Sequence, residues 1–85
     1  MTEIILITAS SCPDCARMKK LINDTIKSNN IQATVSEFDS EDNKAISMAL
    51  KYNIDDLPGC NINGKSICGK NFKNDDIVKE LQKLN

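Results

Sequence analysis

With 85 residues, 40% of them hydrophobic, the chain can close one compact core and has no material for a second, which predicts a single domain spanning residues 1–85. Lysine plus arginine number 11 against 12 aspartates plus glutamates, so a net charge of −1 gives no global basic field to hold a nucleic acid or an anionic membrane. The apolar run from Ile4 to Ile7 is strand length, too short for an export signal or a membrane span, and Glu3 sits where a signal peptide would be basic.

In chain order, residues 3–9 are a continuous apolar, β-branched run closing at Ser10-Ser11, the pattern of a strand buried on both faces of a parallel sheet. From Pro13 to Asn29, Met18, Leu21, Ile22, Thr25 and Ile26 form one helical stripe, and Pro13 suits the first turn, where its missing N–H costs nothing. The polar interruptions between Gln32 and Asp39 predict a strand nearer the sheet edge. Ser40 is the expected N-cap of a second helix led by Glu41 and Asp42, with Ile46, Ala49, Leu50 and Asn53 on its inner face. Pro58-Gly59 breaks the chain. Asn63-Gly64 then separates two short runs, 59–62 and 65–68, as a type I′ hairpin turn would. Asn74 is the expected cap of a last helix with Asp75 and Asp76 in its first turn and Ile77, Val78, Leu81 and Leu84 on one face. The predicted order is βαβαββα, an α/β fold.

Cys12-Pro13-Asp14-Cys15 falls at the junction between the buried first strand and the first helix, the context in which a C-x-x-C pair is strong evidence for redox chemistry. Exposed N–H groups and the positive end of the helix dipole favour a thiolate on Cys12, lowering its pKa below the free value of about 8.5. Cys15, one turn further in, is expected to be more buried and protonated. Thiol–disulfide exchange needs both sulfurs within covalent reach, and a two-residue gap in the first helical turn provides it. Asp14 works against the thiolate, whereas Arg17, Lys19 and Lys20 supply positive potential.

The CPDC segment, together with Pro58-Gly59-Cys60-Asn61-Ile62-Asn63-Gly64-Lys65-Ser66-Ile67-Cys68-Gly69, resembles the glutaredoxin branch of the thioredoxin superfamily, in which C-P-x-C is followed by a P-x-x-x-I-N-G-K-x-I-G-G stretch. The resemblance spans nearly the whole chain and implies a thioredoxin-like four-stranded mixed sheet flanked by three helices. It implies a cis Pro58 facing Cys12 and Cys15, and a Leu57 backbone that pairs with an extended substrate segment. Pro13, Asp14 and Gly69 join Leu57 and Pro58 as the implied substrate-binding residues. The implied activity is reduction of protein disulfides, a ribonucleotide reductase among them, with an upstream thiol reductant or reductase as electron source.

The chain also departs from that branch. Ala9 stands where glutathione-using members carry Lys, Asp14 where they carry Tyr, and Asp56-Leu57 where they carry Thr-Val; Cys68-Gly69 is followed by a lengthened Lys70–Asn74 stretch before Asp75-Asp76. Acids at 14, 55 and 56 disfavour an anionic tripeptide, so glutathione is expected to be a weak partner. The thioredoxin branch proper fits no better: no Trp precedes Cys12, and Leu6 occupies the place of its buried acid.

Other readings weigh less. A zinc site wants a second close Cys or His pair, and the chain has no His and only the loose Cys60-x7-Cys68 pair. An iron–sulfur carrier with Cys12 ligating a cluster shared between two chains, and a binding module that keeps the fold without redox turnover, are the other classes. If Asn63-Gly64 forms a two-residue loop, Cys60 pairs with Ile67 and Gly59 with Cys68, sending the two thiols to opposite faces and leaving them unbridged. Tyr52 and Phe72 read as packing residues, and Lys19-Lys20 as a solvated helix face. Four cysteines amid long helix and strand patterns do not read as a secreted disulfide scaffold, so the expectation is a cytoplasmic monomer with no metal, no nucleic acid and no membrane partner.

Overall fold

A computed structural model describes residues 2–84. Its elements run β1 (Thr2–Thr8), α1 (Pro13–Ser28), β2 (Ala33–Asp39), α2 (Asn43–Tyr52), β3 (Gly59–Ile62), β4 (Lys65–Cys68) and α3 (Asn74–Gln82), in the expected βαβαββα order. The four strands form one mixed sheet in the order β2-β1-β3-β4, with β1 parallel to β2 and antiparallel to β3. This is the thioredoxin-like α/β architecture.

The unbroken apolar run of β1 has a simple cause: both of its faces are covered. Ile4 and Leu6 point into a core shared with Met18 and Ile22 of α1 and with Ile77 and Leu81 of α3. Ile5 and Ile7 point the other way, into a smaller core with Ala45 of α2 and Ile54. All four are almost fully buried, and each such side chain contributes about 1.5–3 kcal/mol on leaving water. β2, covered on one side only by β1 in the ladder, has the alternating exposure of an edge strand.

The hairpin follows from its turn residues. Asn63 and Gly64 have φ of 50° and 95°, both in the left-handed region that a type I′ turn demands, and the register pairs Gly59 with Cys68 and Cys60 with Ile67. Buried Asn61 locks the turn to the rest of the molecule: its Oδ1 accepts from Gly64 N–H at 3.0 Å, and its Nδ2 donates to Tyr52 O at 3.1 Å and Ser66 Oγ at 2.9 Å. Ser66 Oγ in turn donates to the same Tyr52 carbonyl.

Two helix starts and one helix face differ from the sequence expectation. α2 is capped by Asp42, whose side chain accepts from Lys44 N–H, and not by Ser40. The cause is a tight turn in which Ser40 N–H goes to Thr8 O, Asp39 Oδ1 takes Glu41 N–H and Asp42 N–H goes to Asp39 O, so residues 40–42 are spent before the helix begins. The inner face of α2 is Ala45, Met48, Ala49 and Tyr52, a competing stripe with the same spacing; Ile46 and Leu50 are 59% and 79% exposed, and Asn53 is the left-handed C-cap. The two alanines let the helix lie close on the sheet, where the bulkier Ile46 and Leu50 stripe would hold it off. α3 is preceded by Lys73 at its N-cap with no side-chain cap, because Asn74 Oδ1 is engaged elsewhere, accepting from Arg17 at 2.7 Å.

Two glycines separate crowding from backbone strain. A Cβ on Gly59 would stand 2.2 Å from Ile54 Cγ2 and 2.8 Å from Asp56 O, whereas one on Gly64 would meet nothing within 4 Å but would carry a φ of 95°. Gly59→Ala is expected to destabilise by about 1–3 kcal/mol through overpacking, and Gly64→Ala by about 1 kcal/mol through the left-handed backbone alone. Urea midpoints check both, and a Gly59→Ala protein as stable as the parent would contradict the packing described between β3 and Ile54.

Candidate redox site

β1 ends at Thr8, and the chain turns through Ser10 and Ser11 into α1. Ser11 takes a left-handed φ of 59°, the reversal that lets Cys12 stand at the N-cap of α1 with extended backbone. Pro13 occupies the first helical turn. From the cap, Cys12 Sγ accepts the Cys15 N–H at 3.1 Å, and Cys12 O accepts from Ala16 N–H at 3.3 Å. One amide left without a partner inside the helix, that of Cys15, is therefore turned toward the Cys12 sulfur. Cys12 and Cys15 form a disulfide across a Cα–Cα distance of 5.2 Å. Cys12 is half-buried, and Cys15, one turn deeper, is 2% exposed.

The remaining expected site residues converge on the same end of the sheet. Ile7 pairs with Gly59, so the preceding Pro58 stands level with the end of β1, and the Leu57–Pro58 peptide is cis. Pro58 is fully buried, and its carbonyl accepts from Gly69 N–H at 2.9 Å, which ties the turn after β4 to the cis-proline loop. Leu57 is half-buried with its N–H directed to Asp56 Oδ1 at 2.8 Å. Asp14, in the first turn of α1, pairs with Arg17 at 3.6 Å.

Several features were not legible before the chain was folded. A cleft of about 290 Å³ runs beside the disulfide, bounded by Thr8, Ala9, Cys12, Cys15, Lys19 and Glu37. On its wall, Glu37 of β2 accepts from Thr8 Oγ1 at 2.9 Å and pairs with Lys19 of α1 at 2.8 Å. The Lys19 ammonium, helped by the Thr8 hydroxyl and opposed by partial desolvation, holds the Glu37 carboxyl below its ordinary range. Glu37 carried no motif; its neighbours come from β1 and α1, and only the register that sets Leu6 beside Glu37 brings them together.

The cations near the active helix are also engaged. Arg17 lies with its guanidinium carbon 3.8 Å from the centroid of the Phe72 ring while donating to Asn74 Oδ1 at 2.7 Å and Lys70 O at 3.2 Å. Phe72 therefore packs into the core and also serves as a platform for a cation. Lys20 pairs with Asp24 at 2.9 Å, so of the three cations expected to support Cys12, each has a partner of its own.

The other two cysteines are free and lie on opposite faces of the sheet, as the hairpin register requires. Cys60 packs with Leu6 and Met18, Cys68 with the core on the α2 side. Burial pushes the Cys60 thiol up to about 12, with the neighbouring Cys68 adding in the same direction. Among the described residues, no group of three or more His, Cys, Asp or Glu side chains is placed to hold a metal, and no helix is long and apolar enough to cross a membrane.

Comparison with known proteins agrees with this arrangement. No curated protein sequence matches the chain significantly. Among solved structures, the thioredoxin-like protein BC3987 is 26% identical, with 96% of this chain and 99% of that one covered and a TM-score of 0.60. The solution structure of an uncharacterized thioredoxin-like protein from Clostridium perfringens is 22% identical, covering 100% of this chain and 71% of that one at a TM-score of 0.74. A structure described as a malarial protein is 17% identical, covering 99% and 97% at a TM-score of 0.65. The family model for the thioredoxin domain matches residues 2–82, and the chain, with its Cys12–Cys15 disulfide at the head of α1, belongs to the thioredoxin family of thiol-disulfide oxidoreductases.

Proposed function

We propose that the chain is a dithiol oxidoreductase that reduces protein disulfides, with Cys12 as nucleophile and Cys15 as the resolving thiol. The observation that carries this reading is the asymmetry of the pair. Cys12 is half-buried at the helix cap and receives an amide hydrogen bond, whereas Cys15 is 2% exposed. A thiolate at the cap is stabilised by that N–H and by the positive end of α1, and it is the sulfur a partner can reach.

The exchange balances in two steps. The Cys12 thiolate attacks one sulfur of the substrate disulfide, forming a mixed disulfide and releasing the other sulfur as a thiolate that takes up a proton. Cys15 then gives up its proton and attacks Cys12 Sγ, releasing the second substrate thiol and leaving the Cys12–Cys15 disulfide. Two electrons have passed to the substrate, and an upstream thiol reductant or reductase restores the dithiol.

Pro58, Leu57 and Gly69, tied together at the end of β1, supply the surface on which an extended substrate segment lies, its main chain pairing with Leu57. Pro13 and Asp14 border that surface from α1. Substrates of this kind include a ribonucleotide reductase, and the cytoplasm is the compartment in which such a reductant would work. The closeness to the glutaredoxin branch rests on the CPDC and Pro58–Gly69 segments, but glutathione is a poor partner in this reading. Ala9 borders the cleft without a charge, and Arg17, the nearby cation of α1, is already engaged by Asp14, Asn74 Oδ1 and the Lys70 carbonyl.

Three outcomes are expected. A Cys15→Ser protein accumulates a mixed disulfide with a protein substrate, whereas Cys12→Ser neither turns over nor traps; trapping by Cys12→Ser in place of Cys15→Ser would reverse the assignment. Pulsed iodoacetamide labelling of the reduced native protein at pH 8 modifies Cys12 first and spares Cys60, whose thiol stays neutral below about pH 12; early mass gain at Cys60 would contradict its burial. Turnover of a glutathione mixed disulfide is slow, and Ala9→Lys with Asp14→Tyr raises it about ten- to a hundredfold, the span of one recovered charge-assisted contact; brisk turnover by the unmodified protein would count against the reading of this groove.

A further inference from the structure

The amide that the proposed function assigns to substrate pairing is not free. Leu57 N–H points to its neighbour's carboxylate, Asp56 Oδ1, at 2.8 Å. The second oxygen of that carboxylate leans over the turn after β4, where a side chain at residue 69 would be: Oδ2 lies 3.2 Å from the Cβ position of Gly69. Gly69 is thus bare on the side Asp56 occupies, and its own N–H is already taken by Pro58 O. The carboxylate therefore fills the space between the cis-proline loop and the Gly69 turn, directly on the donor that an incoming strand would use.

Charge makes this arrangement consequential. Among the described residues, the ion pairs join Arg17 to Asp14, Lys19 to Glu37, Lys20 to Asp24 and Lys83 to Glu80; none involves Asp56. Asp56 is exposed, with Asp55 exposed beside it. A substrate main-chain carbonyl that takes the Leu57 N–H must displace Oδ1, and among the described residues the displaced carboxylate has no ion-pair cation in place. A basic side chain on the incoming segment supplies one, while an acidic side chain meets two uncompensated carboxylates.

We propose that Asp56 caps the Leu57 amide in the free protein and passes to a lysine or arginine of the bound segment, making Asp56 the residue that selects disulfides flanked by basic side chains. This rests on the reading of Leu57 as the strand-pairing residue and goes beyond it by naming the substrate class. The selection acts at binding and leaves the exchange of sulfurs to Cys12 and Cys15.

The test uses the full chain and three synthetic peptide disulfides identical except for Lys, Ala or Glu next to the reactive half-cystine, with kcat/KM measured for the parent, Asp56→Asn and Asp56→Ala. The parent is expected to favour the Lys peptide over the Glu peptide by about two- to fivefold, the range of one exposed charge pair, mainly through KM. Asp56→Asn, which keeps an oxygen on the amide but loses the charge, narrows that preference. Asp56→Ala narrows it too and raises kcat/KM for the Ala peptide, because the competitor for Leu57 N–H is gone. In amide spectra, the Leu57 proton moves upfield in Asp56→Ala and stays in place in Asp56→Asn. Equal turnover of all three peptides by the parent, or an unchanged preference in both variants, overturns the selection while leaving the oxidoreductase reading intact. If no peptide is turned over at all, both fall together.

Discussion

Burial of β1 on both faces is the constraint on which the rest of this molecule depends. Because Ile4 and Leu6 serve one core and Ile5 and Ile7 the other, α1 and α3 must lie on one side of the sheet and α2 on the other. A strand that is apolar on both faces does not set its own register, since a slip of one residue exchanges one aliphatic side chain for another. The register comes from its neighbour. Gly59 fits against Ile54 only where no Cβ intervenes, and Asn61 is held by Tyr52, Ser66 and Gly64, so β3 has one position, and β1 with it. Through that chain of contacts, packing in the middle of the sheet decides where Cys12 and the cis-proline loop meet.

Arg17 differs from the other cations of the active helix. Lys19 and Lys20 make single exposed pairs of the kind that contribute about 0–1 kcal/mol to stability. Arg17 touches Asp14, Asn74, Lys70 O and the Phe72 ring at once, and Phe72 is itself buried against the core. The planar guanidinium suits this combination of stacking and forked donation, which an ammonium does not reproduce. The approach to α3 is thereby held against the active helix only five residues from Cys12.

Element order, the two-sided burial of β1, the hairpin register and the place of both pairs of cysteines were legible in the sequence because each depends on local signals: an aliphatic run, a helical stripe, an Asn-Gly turn, a C-x-x-C at a helix start. The cis state of Leu57–Pro58 was legible only through resemblance to a family. What escaped is long-range. The stripe 46-49-50-53 and the stripe 45-48-49-52 are both valid helical faces, and the choice between them was made by how closely α2 approaches the sheet. Asn74 reads as a cap until Arg17, far away in sequence, takes its side-chain oxygen. Glu37 has no local mark at all, since its partners Thr8 and Lys19 come from two other elements.

The sheet has two open rims, and they are guarded differently from the cis-proline loop. On β2, the outer strand on one side, polar and charged side chains recur along the length: Thr34, Ser36, Glu37 and Asp39, with Ser36 hydrogen-bonded to Glu3 and Glu37 tied to Lys19. On the other rim, β4 has only four residues and opens with exposed Lys65. Short length and interleaved charge are what keep a bare row of main-chain donors and acceptors from recruiting foreign strands. In the proposed function, such strands are the substrate segments. The rims offer them little to pair with, and in that reading an extended segment lies on the short stretch of backbone at Leu57 and Pro58, so binding and chemistry would coincide.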